Sequence, residues 1–124
     1  MGDFSYDNPK YGSKKVTFLG KLGANAASDT AQARFATYCN AKITEVYALG
    51  DAAGTAAASG WTIKKGTTSV GALVVGTTNT AGVMKAASLT DQTFTSTDVL
   101  NITNIGSDTQ QSAWVYVVWQ EAFA

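Results

Sequence analysis

Between Trp61 and Gln120 the chain is a ladder of short Val- and Thr-rich segments set between glycines. It closes on the apolar run Ser112-Ala-Trp-Val-Tyr-Val-Val-Trp-Gln120. This pattern restricts the fold more than any other feature. β-branched side chains suit a pleated, half-buried surface, and glycine supplies the positive φ of tight turns. Residues 61–65, 72–75, 81–89, 92–95, 99–105 and 113–121 read as strands, with a turn at Gly66. Upstream, alternation places Lys15, Thr17 and Leu19 on one face of a first strand and Val16, Phe18 and Gly20 on the other. In residues 43–49, Ile43, Glu45, Tyr47 and Leu49 oppose Thr44, Val46 and Ala48.

Residues 31–39 admit two readings. Ser28 or Asp29 could cap a helix through Phe35, or Ala33, Phe35 and Thr37 could share a strand face; the aromatic, β-prone run favours the strand. Residues 23–29 and the Ala/Gly-rich stretch 50–60 read as loops, with an Ala-rich helix the weaker option for the latter. That leaves about eight or nine strands at a spacing near ten residues, the signature of an all-β sandwich or barrel. No internal repeat points to a propeller or solenoid.

The chain divides into an extended N-terminal arm, residues 1–13, and a single β domain, residues 14–124. Pro9 drives Asn8 toward extended backbone and blocks a helix. The arm carries Phe4, Tyr6 and Tyr11, and burying each ring is worth on the order of 2 kcal/mol. They are expected to dock, either on their own domain or as anchors on a neighbouring subunit.

Charge and composition exclude several function classes. Nine Lys and Arg balance nine Asp and Glu, so no positive field draws nucleic acid or anionic lipid. The pairs Lys14-Lys15 and Lys64-Lys65 read as solvated strand faces. Zero net charge also makes close packing with copies of the chain electrostatically cheap. Cys39 is the single cysteine, so no internal disulfide forms, and an inert buried thiol is expected. The first residues lack a basic region followed by an apolar one, and Tyr6 stands where myristoylation needs Ser or Thr. No apolar run reaches the roughly 18 residues of a spanning helix. A soluble chain made in a cytoplasm, with no membrane partner, is expected.

Catalytic signals are missing in the same way. Without histidine there is no Ser-His-Asp or Cys-His machinery and no His-ligated zinc. The aspartates stand in turn contexts such as Gly50-Asp51, Thr90-Asp91 and Ser107-Asp108, where side-chain capping accounts for them. Neither a phosphate-cradling glycine motif nor a calcium loop is present. Asn101-Ile-Thr103 fits a glycosylation sequon that a cytoplasmic product would not use. No enzyme activity, cofactor, metal or small-molecule substrate is expected.

The closing strand is apolar on both faces: Trp114, Tyr116 and Val118 on one, Val115, Val117 and Trp119 on the other. A solvent-facing sheet alternates apolar with polar, so the second face needs cover from a loop, the arm or another subunit. Trp114, Tyr116 and Trp119 are therefore the candidate self-association residues, in a dimer or trimer.

Three segments carry a resemblance. The run Trp61-Thr-Ile-Lys-Lys-Gly66, the run Ser88-Leu-Thr-Asp-Gln-Thr-Phe-Thr-Ser-Thr-Asp-Val-Leu-Asn-Ile-Thr103, and the hydrophobic closing strand resemble the small jelly-roll proteins of tailed bacteriophages. The likeness runs from about Lys15 to Glu121 and rests on pattern, not on an invariant motif; the arm and the Ala/Gly stretch depart from it. It implies an antiparallel β-sandwich of jelly-roll type. It also implies a capsid decoration (cement) protein or head-fibre component on the virion surface, partnered by the major capsid protein. In that setting Phe4, Tyr6 and Tyr11 become the arm's anchors. The alternative is a glycan- or receptor-binding module of a phage fibre or adhesin, with Trp61 or another exposed aromatic stacking on a sugar.

Overall fold

The computed structural model describes residues 11–23, 31–52, 59–75, 81–105 and 112–123. Among them are nine strands and no helix: β1 Lys15–Gly23, β2 Ala31–Phe35, β3 Ala41–Ala52, β4 Gly60–Lys65, β5 Thr68–Val74, β6 Met84–Ser88, β7 Thr93–Phe94, β8 Leu100–Asn104 and β9 Ser112–Glu121. The strand reading of residues 31–39 therefore holds over β2.

Two antiparallel sheets form a sandwich. The first runs β1-β9-β3-β6, with short β7 also paired to β3; the second runs β2-β8-β4-β5. The closing strand β9 lies inside its sheet, hydrogen-bonded to β1 on one side and β3 on the other. Its apolar character follows from that central place, since both flanks and one face are taken up by the domain.

Between the sheets lies one core. Trp61, Ile63 and Leu73 from the second sheet, with Leu100 and Ile102, meet Ile43, Val46, Val115 and Val117 from the first, all at 1% exposure or less. Complete burial of a Val, Leu, Ile or Phe side chain stabilises by about 1.5–3 kcal/mol, so this cluster is the main stabilising element. Trp61 is wholly buried, which removes it as a platform for a sugar.

Three local expectations are corrected. First, β3 does not alternate strictly. Its register against β9 shifts between Ile43 and Glu45, so Thr44 is an extra residue and its hydroxyl turns back to the Val118 carbonyl at 3.4 Å. A bulge of this kind reverses the facing of everything beyond it, which puts Ile43 in the core together with Val46 and Ala48. Second, β3 runs past Gly50 to Ala52. Gly50 is buried opposite Ala113, donates its N–H to the Val83 carbonyl at 2.7 Å and accepts from Gly82 N–H at 3.0 Å. Paired on both sides, it does not end the strand. Third, β5 starts at Thr68 and not at Ala72, because Gly66 and Thr67 make a two-residue turn with Gly66 at φ 63°. Glycine first in such a turn matches the twist of the two strands. Residues 24–30 and 53–58 of the expected loops lie outside the described residues.

Candidate protein-docking faces

The two outer faces of the sandwich differ in chemistry. On the first sheet, cross-strand pairing builds three rows over four strands. Phe18, Tyr116, Tyr47 and Ala86 form the middle row; Lys21, Trp114, Leu49 and Met84 form the next; Val16, Val118, Glu45 and Ser88 form the third. Directly opposed residues are the packing unit of a sheet face, and here most are apolar or aromatic.

Side chains within this face cover one another only in part. The Phe18 and Tyr116 rings pack at 5.1 Å between centroids, tilted by 40°. Lys21 Nζ lies 5.1 Å from the Trp114 ring centroid while its charge meets the Asp51 carboxylate at 2.9 Å. Asp51 also accepts the Ser112 hydroxyl at 2.8 Å. The Lys21 and Ser112 donors hold its carboxyl below the usual 3.8. Tyr47 donates its hydroxyl to Glu45 at 3.1 Å. That bond, then burial and the Glu45 charge, push the phenol above its usual 10.0. Even so, Val16 remains 66%, Phe18 53% and Met84 64% exposed. A contiguous apolar area with a polar rim is what a protein-docking surface looks like.

The expected self-association residues divide between the two faces. Trp114 and Tyr116 are half-buried on the outer face. Trp119 turns inward at the end of the sandwich: it packs edge-on against Phe35 with centroids 5.8 Å apart, and donates its indole N–H to Thr17 Oγ1 at 3.0 Å. Trp119 thus joins the two sheets and does not lie on the outer apolar face.

Of the arm residues, Phe4 and Tyr6 lie outside the described residues. Tyr11 is engaged with its own domain. It bridges to Ala122, and Lys42 Nζ sits 5.3 Å from its ring centroid. Next to it, Gly12 donates to the Glu121 carbonyl at 2.8 Å and accepts from the Gln120 side chain at 3.0 Å. Cys39 is half-buried, not buried. It follows Tyr38, which is 83% exposed at φ 57°, in the turn between β2 and β3.

Sequence reasoning passed over Val16, Phe18, Leu49 and Met84 as members of the docking face. A signal was present for the first two, since Val16 and Phe18 share one side of β1 with no polar residue between them.

The second sheet presents a polar outer face. One row reads Arg34, Asn101, Lys64, Ser69, and a neighbouring one Ala31, Thr103, Thr62, Ala72. Nothing in a linear reading links Arg34 to Asn101, because 67 residues separate them. At the end of the sandwich, Lys65 is held by Asp91 at 3.1 Å and Asp98 at 3.9 Å and lies over the Phe94 ring. Thr95 N–H and hydroxyl both donate to Asp98, at 2.8 and 3.0 Å, and the backbone donor chiefly lowers that carboxyl. This cluster clasps β7 onto the domain. Among the described residues no group of three or more potential ligands gathers for a metal ion.

No protein-family model, curated protein or solved structure matches this chain. What the structure defines is a class: an all-β, two-sheet sandwich with one apolar and one polar outer face.

Proposed function

We propose that this chain is a virion structural protein, a capsid decoration (cement) protein that binds the outside of an icosahedral phage head and stabilises it. The observation that carries the reading is the outer face of the first sheet. Val16, Phe18, Trp114, Tyr116 and Met84 offer an exposed apolar and aromatic surface on an otherwise well-packed domain. A surface of that composition contributes once another protein covers it.

The strand order supports a jelly roll as the finer description of the sandwich. β1 pairs with β9, β2 with β8 and β3 with β6, so strands from the two ends of the chain interleave in each sheet. Two wrapped antiparallel sheets of this kind belong to the architecture that capsid proteins use.

In this reading the rigid sandwich presents Trp114 and Tyr116 to a second copy, in a dimer or trimer. Residues 1–13 are the arm that carries Phe4 and Tyr6 to the major capsid protein. Many copies on a symmetric shell make modest single contacts effective. The protein acts by binding, without catalysis, cofactor or nucleic acid, at the capsid surface after synthesis in the host cytoplasm.

The test adds purified protein to heads of its phage that lack it, and follows co-sedimentation and head melting. Stoichiometric binding and a higher melting temperature are expected. Heads that neither take up the protein nor gain stability would overturn the reading, and unchanged binding after deletion of residues 1–12 would remove the arm from it.

A further inference from the structure

A shallow cup of about 230 Å³ opens on the outer face of the second sheet, lined by Arg34, Lys64, Gly66, Thr67, Asn101 and Thr103 together with Ala31. It lies on the opposite side of the sandwich from the apolar face. Among the described residues that line it, the two ionisable ones are cations and none is acidic or aromatic.

The arrangement is built. Arg34, Asn101 and Lys64 are direct cross-strand partners on β2, β8 and β4. The Asn101 amide is committed at both ends: Oδ1 accepts Arg34 Nε at 3.1 Å, and Nδ2 donates to the Gly66 carbonyl at 2.8 Å. Asn101 therefore fixes the guanidinium by its inner edge. The two terminal nitrogens, the pair that grips a carboxylate bidentately, are left without a described partner.

Independent of the cations, Thr103 points to a ligand. Thr103 is 5% exposed and its hydroxyl is buried with no hydrogen-bond partner. Buried hydroxyls are satisfied in the great majority of proteins, and an orphan at the floor of a cup asks for an acceptor.

We infer that this cup is a docking site for a carboxylate, presented as an Asp or Glu side chain by a protein partner. Arg34 supplies the bidentate contact and the charge, Thr103 a hydroxyl donor, and Asn101 is the positioning residue. Sugar sites use an aromatic ring on which the pyranose stacks, and none of the described residues lining the cup is aromatic, so a protein carboxylate is favoured over an acidic sugar. The site goes beyond the decoration reading and stands apart from the apolar face.

The test needs only the intact, isotope-labelled chain. It is titrated by NMR with a short glutamate-bearing peptide, with the same peptide carrying glutamine, and with glucuronate. Saturable shifts at Arg34 Nε, the Asn101 amide and Thr103 are expected for the glutamate peptide alone, weakening as salt is raised. Arg34→Gln should weaken binding about 10-fold, the loss of a charged hydrogen-bond pair, while Lys15→Gln, which removes a cation from the other sheet, should leave it unchanged. Equal response to the glutamate and glutamine peptides would overturn the proposal. So would binding of glucuronate with the peptide inert, which would assign the cup to an acidic sugar. Neither result bears on self-association through the apolar face or on head binding through the arm.

Discussion

Phe18 and Tyr116 stand directly opposite each other on β1 and β9, their rings 5.1 Å apart, and both point away from the core. The pair lies at the middle of the first sheet's outer face, where Tyr47 and Ala86 continue the row. An edge strand with exposed Val16 and Phe18 invites association, and natural sheets blunt such edges with charge and bulges. β1 has both devices, Lys15 and Lys21 and a register shift between Phe18 and Gly20. They protect its edge while leaving its face open, which fits association face to face.

Phe18→Ser tests that relationship. Phe18 is 53% exposed, so truncation should cost the isolated fold only about 1 kcal/mol, the scale of a ring contact with partial burial. Self-association should fall far more. Analytical ultracentrifugation of the variant should return a monomer at concentrations where the parent chain associates, with the thermal midpoint within a few degrees of the parent's.

Gly60 tests the second sheet. It stands at φ 150°, and a Cβ there would run into the Leu73 carbonyl oxygen on neighbouring β5. The obstacle is backbone, held by the pairing of Gly60 with Val74, so neither strand yields cheaply. Gly60→Ala should destabilise by about 3 kcal/mol or more, combining steric overlap with an unfavourable backbone region. Urea denaturation with tryptophan fluorescence reads it directly, since Trp61 is the next residue and fully buried. A midpoint equal to the parent's would contradict the close approach.

How far the sequence disclosed this arrangement depended on whether the deciding interaction was local. Strand identity was legible because alternation and turn glycines are local: Gly66 marks its turn, and Ala113, Val115 and Val117 declare an inward face. The two faces of β9 were legible too, and so was their need for cover. Hidden were the features set by non-local pairing. The bulge at Thr44 reverses the facing of β3 after Ile43, and only the register against β9 creates it. Gly50 reads as a break until Val83, Gly82 and Ala113 occupy its backbone. Arg34, Asn101 and Lys64 become one site only once β2, β8 and β4 are side by side. Alternation set Trp119 and Trp114 on opposite faces, but it did not say that the Trp119 face is the one that meets Phe35.

Asp51 links the outer face to acid stability. Lys21 and Ser112 hold its carboxyl below the ordinary 3.8. A group whose folded value is depressed binds its proton less tightly when folded, so its contribution is complete above the unfolded value and fades as pH falls through the folded one. Asp51→Asn should therefore lower the urea midpoint near neutral pH, and the gap to the parent should begin to narrow below about pH 4, the unfolded aspartate range, and close as pH falls through the lower folded value. Because Asp51 is open to solvent, the effect should also shrink in high salt. A gap that stays constant down to pH 2 would exclude the Lys21–Asp51 pair as its source.

Thr103 separates stability from recognition. Its hydroxyl is buried without a partner in the free chain, so the folded state bears the cost of stripping it of water with no hydrogen bond in return. Valine has nearly the same shape and no such cost. Thr103→Val should be neutral or stabilising by up to about 1 kcal/mol, whereas most buried substitutions destabilise. The same variant should bind the glutamate peptide several-fold more weakly, because the donor at the floor of the cup is gone. Opposite signs in the two measurements, the urea midpoint rising while affinity falls, are what a residue kept for a ligand should give. Loss of stability with affinity unchanged would make Thr103 an ordinary packing residue of β8 and leave the cup without its floor donor.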